Sequence, residues 1–321
     1  MRLFDLHCDT AGECFNGKKS LLRSDFHIDL CKGEYLDEWM QIFAIWIPDE
    51  LRGEAALDYF KKVHTNFIEQ INLNNGKIEM YQRISEVNSN KKHSICKAIV
   101  ACEGGSPFAF GDGIEVAKSY GVKVVTLTWN AENELGYGCQ SGSENGLKPL
   151  GKRILKDMAA NKIVADVSHL NRKGFYDAIQ SEAAVIASHS NSVSVLEKYR
   201  KYSEDKFFSC RRSLDDEQIK LLSERGGLIG LNFCKSFLGD EGDDGFEAAY
   251  RHLYHMLELG AENTLAIGSD FDGCEINPEL CGVDKMPAFE AFLRSKGFGD
   301  NLIDKIFFEN ANKFFKCILQ N

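Results

Sequence analysis

Residues 2–9 of the chain read RLFDLHCD, a short apolar run that ends in a histidine and an aspartate. Runs of this kind are dense in apolar side chains instead of alternating with polar ones, which is typical of strands buried on both faces of a parallel sheet. The whole set spans residues 2–6, 41–47, 97–102, 122–128, 163–167, 184–187, 227–233 and 264–268. The sequence therefore predicts eight buried strands.

Segments with helical spacing separate these runs. Residues 55–72 place Phe60, Val63 and Phe67 on one face, and residues 150–160, 215–223 and 246–259 behave alike. A strand followed by a helix, repeated eight times, predicts an α/β fold of the (β/α)₈ or TIM-barrel type. No low-complexity linker divides the chain, so we expect a single domain over residues 1–321. An open doubly wound sheet is the alternative, but the Gly-rich phosphate loop it would carry is missing from the sequence.

Composition and charge exclude several classes of function for this chain. The net charge of −10 argues against nucleic acid or an anionic membrane as the partner. No apolar run approaches the roughly 20 residues of a membrane span, and the start of the chain shows no apolar segment of signal-peptide length. The 11 cysteines contain no Cys-x-x-Cys motif. They predict reduced thiols in a cytoplasmic protein.

Polar side chains follow most of the apolar runs at the point where each predicted strand ends. In a (β/α)₈ barrel these ends meet at one face, where active sites lie. The side chains concerned are His7, Asp9, Glu103, Asn130, His169, His189 and Asp270. Metal binding is the simplest explanation for imidazoles and carboxylates that gather at one end of a barrel with an apolar interior.

Each of these signals is weak when it is taken alone. Residues i and i+2 of a strand point to the same side, so His7 and Asp9 can grip one ion, but they can equally form a hydrogen-bonded pair. A carboxylate such as Glu103 often forms a salt bridge, and single histidines such as His169 or His189 are often satisfied core residues. Together they predict a centre for Zn²⁺ or a similar divalent ion.

Asp270 ends the eighth run, which lies beside the first strand in a closed barrel. It should therefore face His7 and Asp9. Asp272 is the competing candidate, but its position before Gly273 is typical of a turn.

Six motifs in the chain resemble those of a known family. They are DLHCDT (5–10), CEGG (102–105), ADVSHL (165–170), ASHSN (187–191), RSLDDEQI (212–219) and IGSDFDG (267–273). In this order they are similar to the motifs of the renal or membrane dipeptidases, the M19 metallopeptidases, which belong to the amidohydrolase-type barrels. Most related barrels carry His-x-His on strand one, whereas this chain carries His-x-Asp, as the dipeptidases do.

The resemblance implies two divalent metal ions, with Zn²⁺ as the first expectation. Their ligands would be His7, Asp9 and Glu103 for one ion, and Glu103, His169 and His189 for the other. Asp270 matches the acid/base aspartate of the family. Arg212 matches the arginine that binds the terminal carboxylate of the substrate, and its neighbour Arg211 stays open as an alternative because the assignment depends on register.

The implied activity is that of a metal-dependent dipeptidase, which hydrolyses dipeptides, some with a C-terminal D-residue, by a hydroxide bridging two ions. The family is often dimeric, so a homodimer is possible. One departure is Trp129, which replaces a histidine of the family and carries only an indole donor. Two alternatives stay open: another binuclear amidohydrolase that acts on a lactone, cyclic amide or phosphoester, and a non-catalytic barrel that binds a small ligand.

Overall fold

Nine parallel strands organise the chain in the computed structural model, which describes residues 1–81, 95–201, 204–240 and 242–320. Eight of them close into a barrel, because β1 pairs with both β2 and β9 while β2 also pairs with β4. The strands are β1 (Arg2–Cys8), β2 (Glu38–Trp46), β3 (Ile78–Met80), β4 (Cys96–Glu103), β5 (Val122–Thr126), β6 (Val164–Asp166), β7 (Val185–Ala187), β8 (Leu228–Leu231) and β9 (Leu265–Ile267). This closed parallel barrel confirms the predicted (β/α)₈ fold.

The short strand β3 is an addition that the sequence analysis did not foresee. It pairs with the first three residues of β4, Cys96 to Ala98, whereas β5 pairs with β4 from Val100 onward. The two strands therefore share one edge of β4. Three residues with the burial pattern of an edge strand are too short to give a clear signal in the sequence.

Helices surround the barrel. They are α1 (Thr10–Gly17), α2 (Gly53–Leu73), α3 (Gly113–Ser119), α4 (Pro149–Asn161), α5 (Arg172–Ile179), α6 (Val193–Tyr199), α7 (Glu204–Arg212), α8 (Asp216–Glu224), α9 (Lys235–Leu238), α10 (Gly245–Glu258), α11 (Met286–Ser295), α12 (Asp300–Asp304) and α13 (Asn310–Gln320). The four segments predicted from helical spacing correspond to α2, α4, α8 and α10. A π-helical stretch, Lys305–Glu309, joins α12 to α13.

The barrel interior is a packed apolar core that leaves one end for polar chemistry. Side chains such as Ile42, Ile99 and Ile186 fill it, and Phe315 of α13 stacks on Phe4 near the start of β1, with ring centroids 5.2 Å apart. Helix α13 therefore covers the end of the barrel where the strands begin. The opposite end, where the strands finish, is where the polar side chains gather.

No helix in the described part of the chain is both long enough and apolar enough to cross a membrane.

Candidate active site

The ends of four strands bring the predicted ligands together around Glu103, the last residue of β4. One carboxylate oxygen of Glu103, Oε1, lies 2.9 Å from His169 Nε2 and 3.3 Å from His189 Nε2. The other, Oε2, lies 3.7 Å from His7 Nε2, which is itself 3.3 Å from Asp9 Oδ2. The two oxygens of one buried carboxylate thus face two different groups of donors.

This donor set fits divalent metal ions. The Nε2 atom of His7 is buried and has no hydrogen-bond partner among the described residues, and the Nε2 atoms of His169 and His189 are 3.0 Å apart. Two ligands of a tetrahedral zinc ion with bonds of 2.0–2.1 Å lie about 3.3 Å from each other. The spacing of the cluster is therefore that of a ligand shell, and imidazole and carboxylate are suitable ligand types.

Grouping the donor atoms by mutual distance alone gives a different division from the one that the family resemblance implies. Within this cluster, two sets of three donors lie within 4.8 Å of one another: His7, Glu103 and His189, and His7, Asp9 and Asp270. His169 falls in neither set, although its Nε2 atom contacts both Glu103 and His189.

Hydrogen bonds to Nδ1 orient the two histidines that follow β6 and β7. His169 Nδ1 lies 2.8 Å from the side-chain oxygen of Asn130. An amide oxygen only accepts, so Nδ1 carries the proton and Nε2 is left with its lone pair. Ser188 donates to Asp166, and its oxygen lies 2.7 Å from His189 Nδ1, which gives His189 the same tautomer. Both Nε2 atoms are thus ready to bind a metal.

The charge states of these two histidines favour the same role. Burial lowers the pKa of His169 well below 6.5, and the positive charges of Arg212 and His7 act in the same direction. Burial, His7 and Arg212 likewise lower the pKa of His189. Both imidazoles are therefore neutral near pH 7, as metal ligation requires.

Around His7, on the other side of Glu103 from His169 and His189, the carboxylates favour positive charge. Burial lowers the pKa of His7, but the carboxylates of Glu103, Asp9 and Asp270 outweigh burial and raise it to about 10. Burial raises the pKa of Glu103 well above its ordinary value, against the opposing charge of His7. A concentration of carboxylates this deep in the protein is stable only with compensating cations.

Two buried aspartates hold the strand ends in place. Asp5 of β1 accepts hydrogen bonds from Gln41 and from the backbone and side chain of Ser269, which links β1, β2 and the end of β9. Asp166 of β6 accepts bonds from Thr126 and Ser188, which links β5, β6 and β7. Asp5 also accepts from the backbone N–H of His7. Asp166 also accepts from the backbone N–H groups of Ser168 and Ser188, the residues directly before His169 and His189.

Asp270 sits at the edge of the cluster in a strained backbone conformation. Its φ angle is +62°, its Oδ1 atom is 4.0 Å from His7 Nε2, and its Oδ2 atom accepts a hydrogen bond of 3.0 Å from Asn232. Burial raises the pKa of Asp270, with the charge of Asp9 in support and that of His7 in opposition. A left-handed backbone at a non-glycine residue is costly and concentrates at functional sites.

Asp272, the competing candidate, faces away from the cluster. Its carboxylate accepts hydrogen bonds from the hydroxyl of Thr10 and from the backbone of His27. It therefore ties the turn after β9 to the segment after β1.

The structure separates the two neighbouring arginines at the end of α7. Arg211 is exposed, whereas Arg212 is only 4% exposed. The guanidinium of Arg212 donates to the backbone oxygen of His189 and the hydroxyl of Ser190, at 3.0 and 3.1 Å. Its Nε atom is buried and has no hydrogen-bond partner in the described part of the chain. Among the described residues no carboxylate forms an ion pair with it, so a buried cation with a spare donor lies beside the candidate ligands.

The RSLDDEQI motif explains how Arg212 reaches this position. Asp215 caps helix α8 and accepts a hydrogen bond from the backbone of Gln218, whose side chain bonds back to Asp215. This capping box starts α8 at Asp216, four residues after Arg212. The turn between the two helices therefore fixes the end of α7 next to β7.

Two tryptophans form an aromatic wall beside the cluster. Trp46 and Trp129 pack edge to face, with ring centroids 5.0 Å apart. Trp129 lies 6.1 Å from the ring of His169, and Trp46 is aligned with Glu103 in the β2–β4 pairing. Both rings are partly exposed, so they can contact a molecule that enters the barrel mouth.

Sequence reasoning assigned no role to five residues that orient the site: Asp5, Asn130, Asp166, Ser188 and Asn232. Asn130 and Ser188 are polar residues at strand ends, which is the signal that led to the ligands themselves. Asn232 lies within the seventh apolar run, where a single amide is the only irregularity. A search for buried polar residues inside apolar runs could have singled it out.

Comparisons with known proteins show the family of the chain. The membrane dipeptidase family, peptidase family M19, matches residues 1–320. An uncharacterized protein from the 5′ region of pqqA in Klebsiella pneumoniae is 27% identical over 258 residues, covering 76% of this chain and 90% of that protein. An uncharacterized dipeptidase of Schizosaccharomyces pombe is 26% identical over 286 residues, covering 81% of this chain and 64% of that protein.

Solved structures give the same fold over the whole chain. The crystal structure of dipeptidase AC, a metallopeptidase of family M19, has a TM-score of 0.87 at 25% identity and covers 100% of this chain and 99% of its own. A metallopeptidase of Rhodobacter sphaeroides, liganded with a phosphinate mimic of L-Ala-D-Ala, has a TM-score of 0.86 at 24% identity and covers 99% of each chain. The chain belongs to peptidase family M19, the membrane dipeptidases, and is a hydrolase of the dipeptidase class.

Proposed function

We propose that this dipeptidase works with two divalent metal ions, Zn²⁺ in the first instance, held on either side of Glu103. The observation that carries the proposal is the division of the Glu103 carboxylate, with Oε1 toward His169 and His189 and Oε2 toward His7. One ion would be held by His7, Asp9 and Glu103. The other would be held by Glu103, His169 and His189.

When bound, the ions would lower the pKa of a water molecule and polarise the carbonyl of the scissile peptide bond. Asp270 is positioned to take the proton of that water and to deliver it to the leaving amine. Its raised pKa suits this exchange, because a general base and acid works best when its pKa approaches the working pH. The hydrogen bond from Asn232 to Oδ2 leaves Oδ1 free for the transfer.

Arg212 would anchor the terminal carboxylate of the dipeptide. A guanidinium provides paired donors that match a carboxylate, and the buried Nε atom of Arg212 has no partner among the described residues. The anchor would sit next to His189, through the bond from Nη2 to the His189 backbone oxygen. This short separation between the anchor and the ligand cluster would restrict substrates to short peptides.

The substrate class follows from the family and from the similar Rhodobacter enzyme, whose ligand mimics a dipeptide with a C-terminal D-residue. We propose that this chain also accepts dipeptides with a D-residue at the second position. The aromatic wall of Trp46 and Trp129 would contact the dipeptide at the barrel mouth.

We also propose a cytoplasmic location, a single domain over residues 1–321 and a homodimer. The number of buried free thiols, among them Cys8, Cys96 and Cys102, supports a reducing compartment. The one continuous sheet supports the single domain.

The test of the catalytic assignment is Asp270→Asn. The amide keeps the size of the side chain but cannot accept a proton as a carboxylate does, so turnover of L,L and L,D dipeptides should fall about 100- to 10,000-fold. Metal content, measured by elemental analysis, should stay close to that of the wild type. Full turnover by the variant would rule out the assigned role, and a loss of metal in parallel with activity would make Asp270 a ligand instead.

A further inference from the structure

Two cysteines, Cys234 and Cys274, lie close to Asp270. The Sγ atoms of Cys234 and Cys274 and a carboxylate oxygen of Asp270 all fall within 4.8 Å of one another. Cys234 is 6% exposed and Asp270 is 8% exposed, while Cys274 is partly buried. The cluster therefore gathers two soft ligands and one hard ligand in a largely buried place.

The backbone fixes this arrangement. Cys234 follows β8 and forms an antiparallel bridge with Ile276, and the next residue donates from its backbone N–H to Glu275 at 2.9 Å. Cys274 belongs to the same turn as Asp270, and its thiol lies 3.5 Å from the Asp270 backbone oxygen. The main chain at Cys234 is thus fixed to the segment that follows Asp270, and the Cys274 thiol contacts the main chain of Asp270 itself.

We propose that Cys234, Cys274 and Asp270 form a further cation site, which takes a thiophilic divalent ion such as Zn²⁺ or Cd²⁺. Two cysteines and a carboxylate are a suitable ligand set for such ions, and a solvent molecule would complete a tetrahedron. On binding, each thiol releases its proton to solvent and forms a sulfur–metal bond, and no electrons are exchanged. Sulfur–zinc bonds are about 2.3 Å long, so two sulfur atoms that bind one tetrahedral ion lie about 3.8 Å apart. This separation falls within the 4.8 Å limit that the three ligand atoms satisfy.

Occupation of this site would inhibit the enzyme, and this consequence rests on the proposed function. Asp270 cannot accept a proton from the reacting water while its carboxylate is bound to a cation beside Cys234 and Cys274. Through the Asp270 carboxylate, an excess of thiophilic metal would thus lower peptidase activity. The binding itself does not depend on the peptidase mechanism.

Spectroscopy separates this site from the histidine cluster, because none of the proposed ligands His7, Asp9, Glu103, His169 and His189 contains sulfur. Cd²⁺ bound by thiolates gives a ligand-to-metal charge-transfer absorption in the ultraviolet, which imidazole and carboxylate ligands do not give. The experiment is a Cd²⁺ titration of the full-length metal-loaded enzyme, kept reduced with a phosphine. The proteins compared are the wild type, the double variant Cys234→Ser/Cys274→Ser, and Cys281→Ser as a matched thiol control.

The wild type and Cys281→Ser should show the charge-transfer band with saturation near one additional ion per chain. The double variant should lose the band, and its affinity for that ion should fall by more than the about 10- to 100-fold typical of outer-shell changes. In the same titration, dipeptidase activity should be inhibited in the wild type and the control, and the inhibition should be relieved in the double variant.

A band of equal strength in the double variant, or none in the wild type, would overturn the site. A disulfide between Cys234 and Cys274 that persists under the phosphine, seen by mass spectrometry of unreduced peptides, would also overturn it. A band that appears without any inhibition would preserve the site and instead count against Asp270 as the proton carrier. The two proposals therefore fail in different ways.

Discussion

The side-chain oxygen of Asn130 lies 2.8 Å from Nδ1 of His169 and holds that imidazole with Nε2 toward Glu103. Asn130 comes from the segment after β5, and His169 comes from the segment after β6. The contact therefore depends on the pairing of β5 with β6, and it orients a ligand that Glu103 alone could not fix. His169 itself has a left-handed backbone with a φ angle of +67°, which adds to the need for support.

Replacing Asn130 should weaken metal binding without unfolding the protein. Asn130→Ala removes the acceptor that fixes the tautomer and orientation of His169, and the loss of such a partner typically lowers metal affinity about 10- to 100-fold. Competition with a chelator measures the affinity, and circular dichroism checks the fold. Asn161→Ala, at the end of α4, is the control. Unchanged affinity in Asn130→Ala would show that Asn130 does not support the ligand.

Gly273 should be essential because of crowding between two site carboxylates. A Cβ atom added at this position would lie less than 3.0 Å from both Asp9 Oδ2 and Asp270 Oδ1. Gly273→Ala must therefore displace a proposed metal ligand or the proposed proton carrier, and both metal content and turnover should fall. Gly12→Ala, where no atom lies within 4 Å of the added Cβ, should leave both unchanged. Equal behaviour of the two variants would contradict this prediction.

Removing Arg212 should damage recognition of the free carboxylate selectively. Truncating a buried charged group that binds an opposite charge typically costs 2–5 kcal/mol, so kcat/KM of Arg212→Ala for dipeptides should fall at least about 30-fold. Arg212→Lys should recover only part of this, because an ammonium cannot form the paired contact. Arg211→Ala is the matched control, since Arg211 is exposed.

Dipeptide amides give the readout that a structural role of Arg212 would not change. They lack the carboxylate, so the ratio of kcat/KM for the acid to that for the amide should collapse in Arg212→Ala and persist in Arg211→Ala. The same ratio in Arg212→Ala and the wild type would exclude the anchor.

His252 should make the protein less stable in mild acid. Burial lowers its pKa to about 4, and the ring accepts from the backbone of Ser192 and bonds to the backbone oxygen of Leu238. Below pH 6.5 the unfolded chain takes up a proton that the folded protein refuses, so stability falls as the pH falls. The loss should reach roughly 2 kcal/mol near pH 5 and be complete below the folded pKa.

Urea unfolding at about pH 7.5 and about pH 5 measures this effect. The variant His252→Gln cannot take up the proton, so its stability should change less between the two conditions than that of the wild type. An identical change in both proteins would show that His252 does not contribute.

Much of the architecture was predictable because buried parallel strands leave dense apolar runs in the sequence. All eight barrel strands coincide with such runs, although β2 begins at Glu38 and not at Gln41. The candidate ligands were predictable for a related reason: a polar residue directly after a buried run is conspicuous, and the barrel brings those positions to one face.

The supporting contacts could not be predicted, because they join residues that are distant in the chain. Nothing in the sequence links Asp5 to Ser269, or Asn232 to Asp270, until the barrel closes. The same holds for the cluster of Cys234 and Cys274. The sequence did not show whether Arg211 or Arg212 is the buried arginine. The answer depends on how α7 ends against β7.

The metal content per chain decides whether Glu103 stands between two cations. Elemental analysis should use the Cys234→Ser/Cys274→Ser background, so that only the histidine cluster binds metal. The expected result is about two ions per chain there, and a marked loss of metal together with activity when Glu103→Gln is added. Full dipeptidase activity with about one ion or none, or retention of both ions after Glu103→Gln, would contradict it.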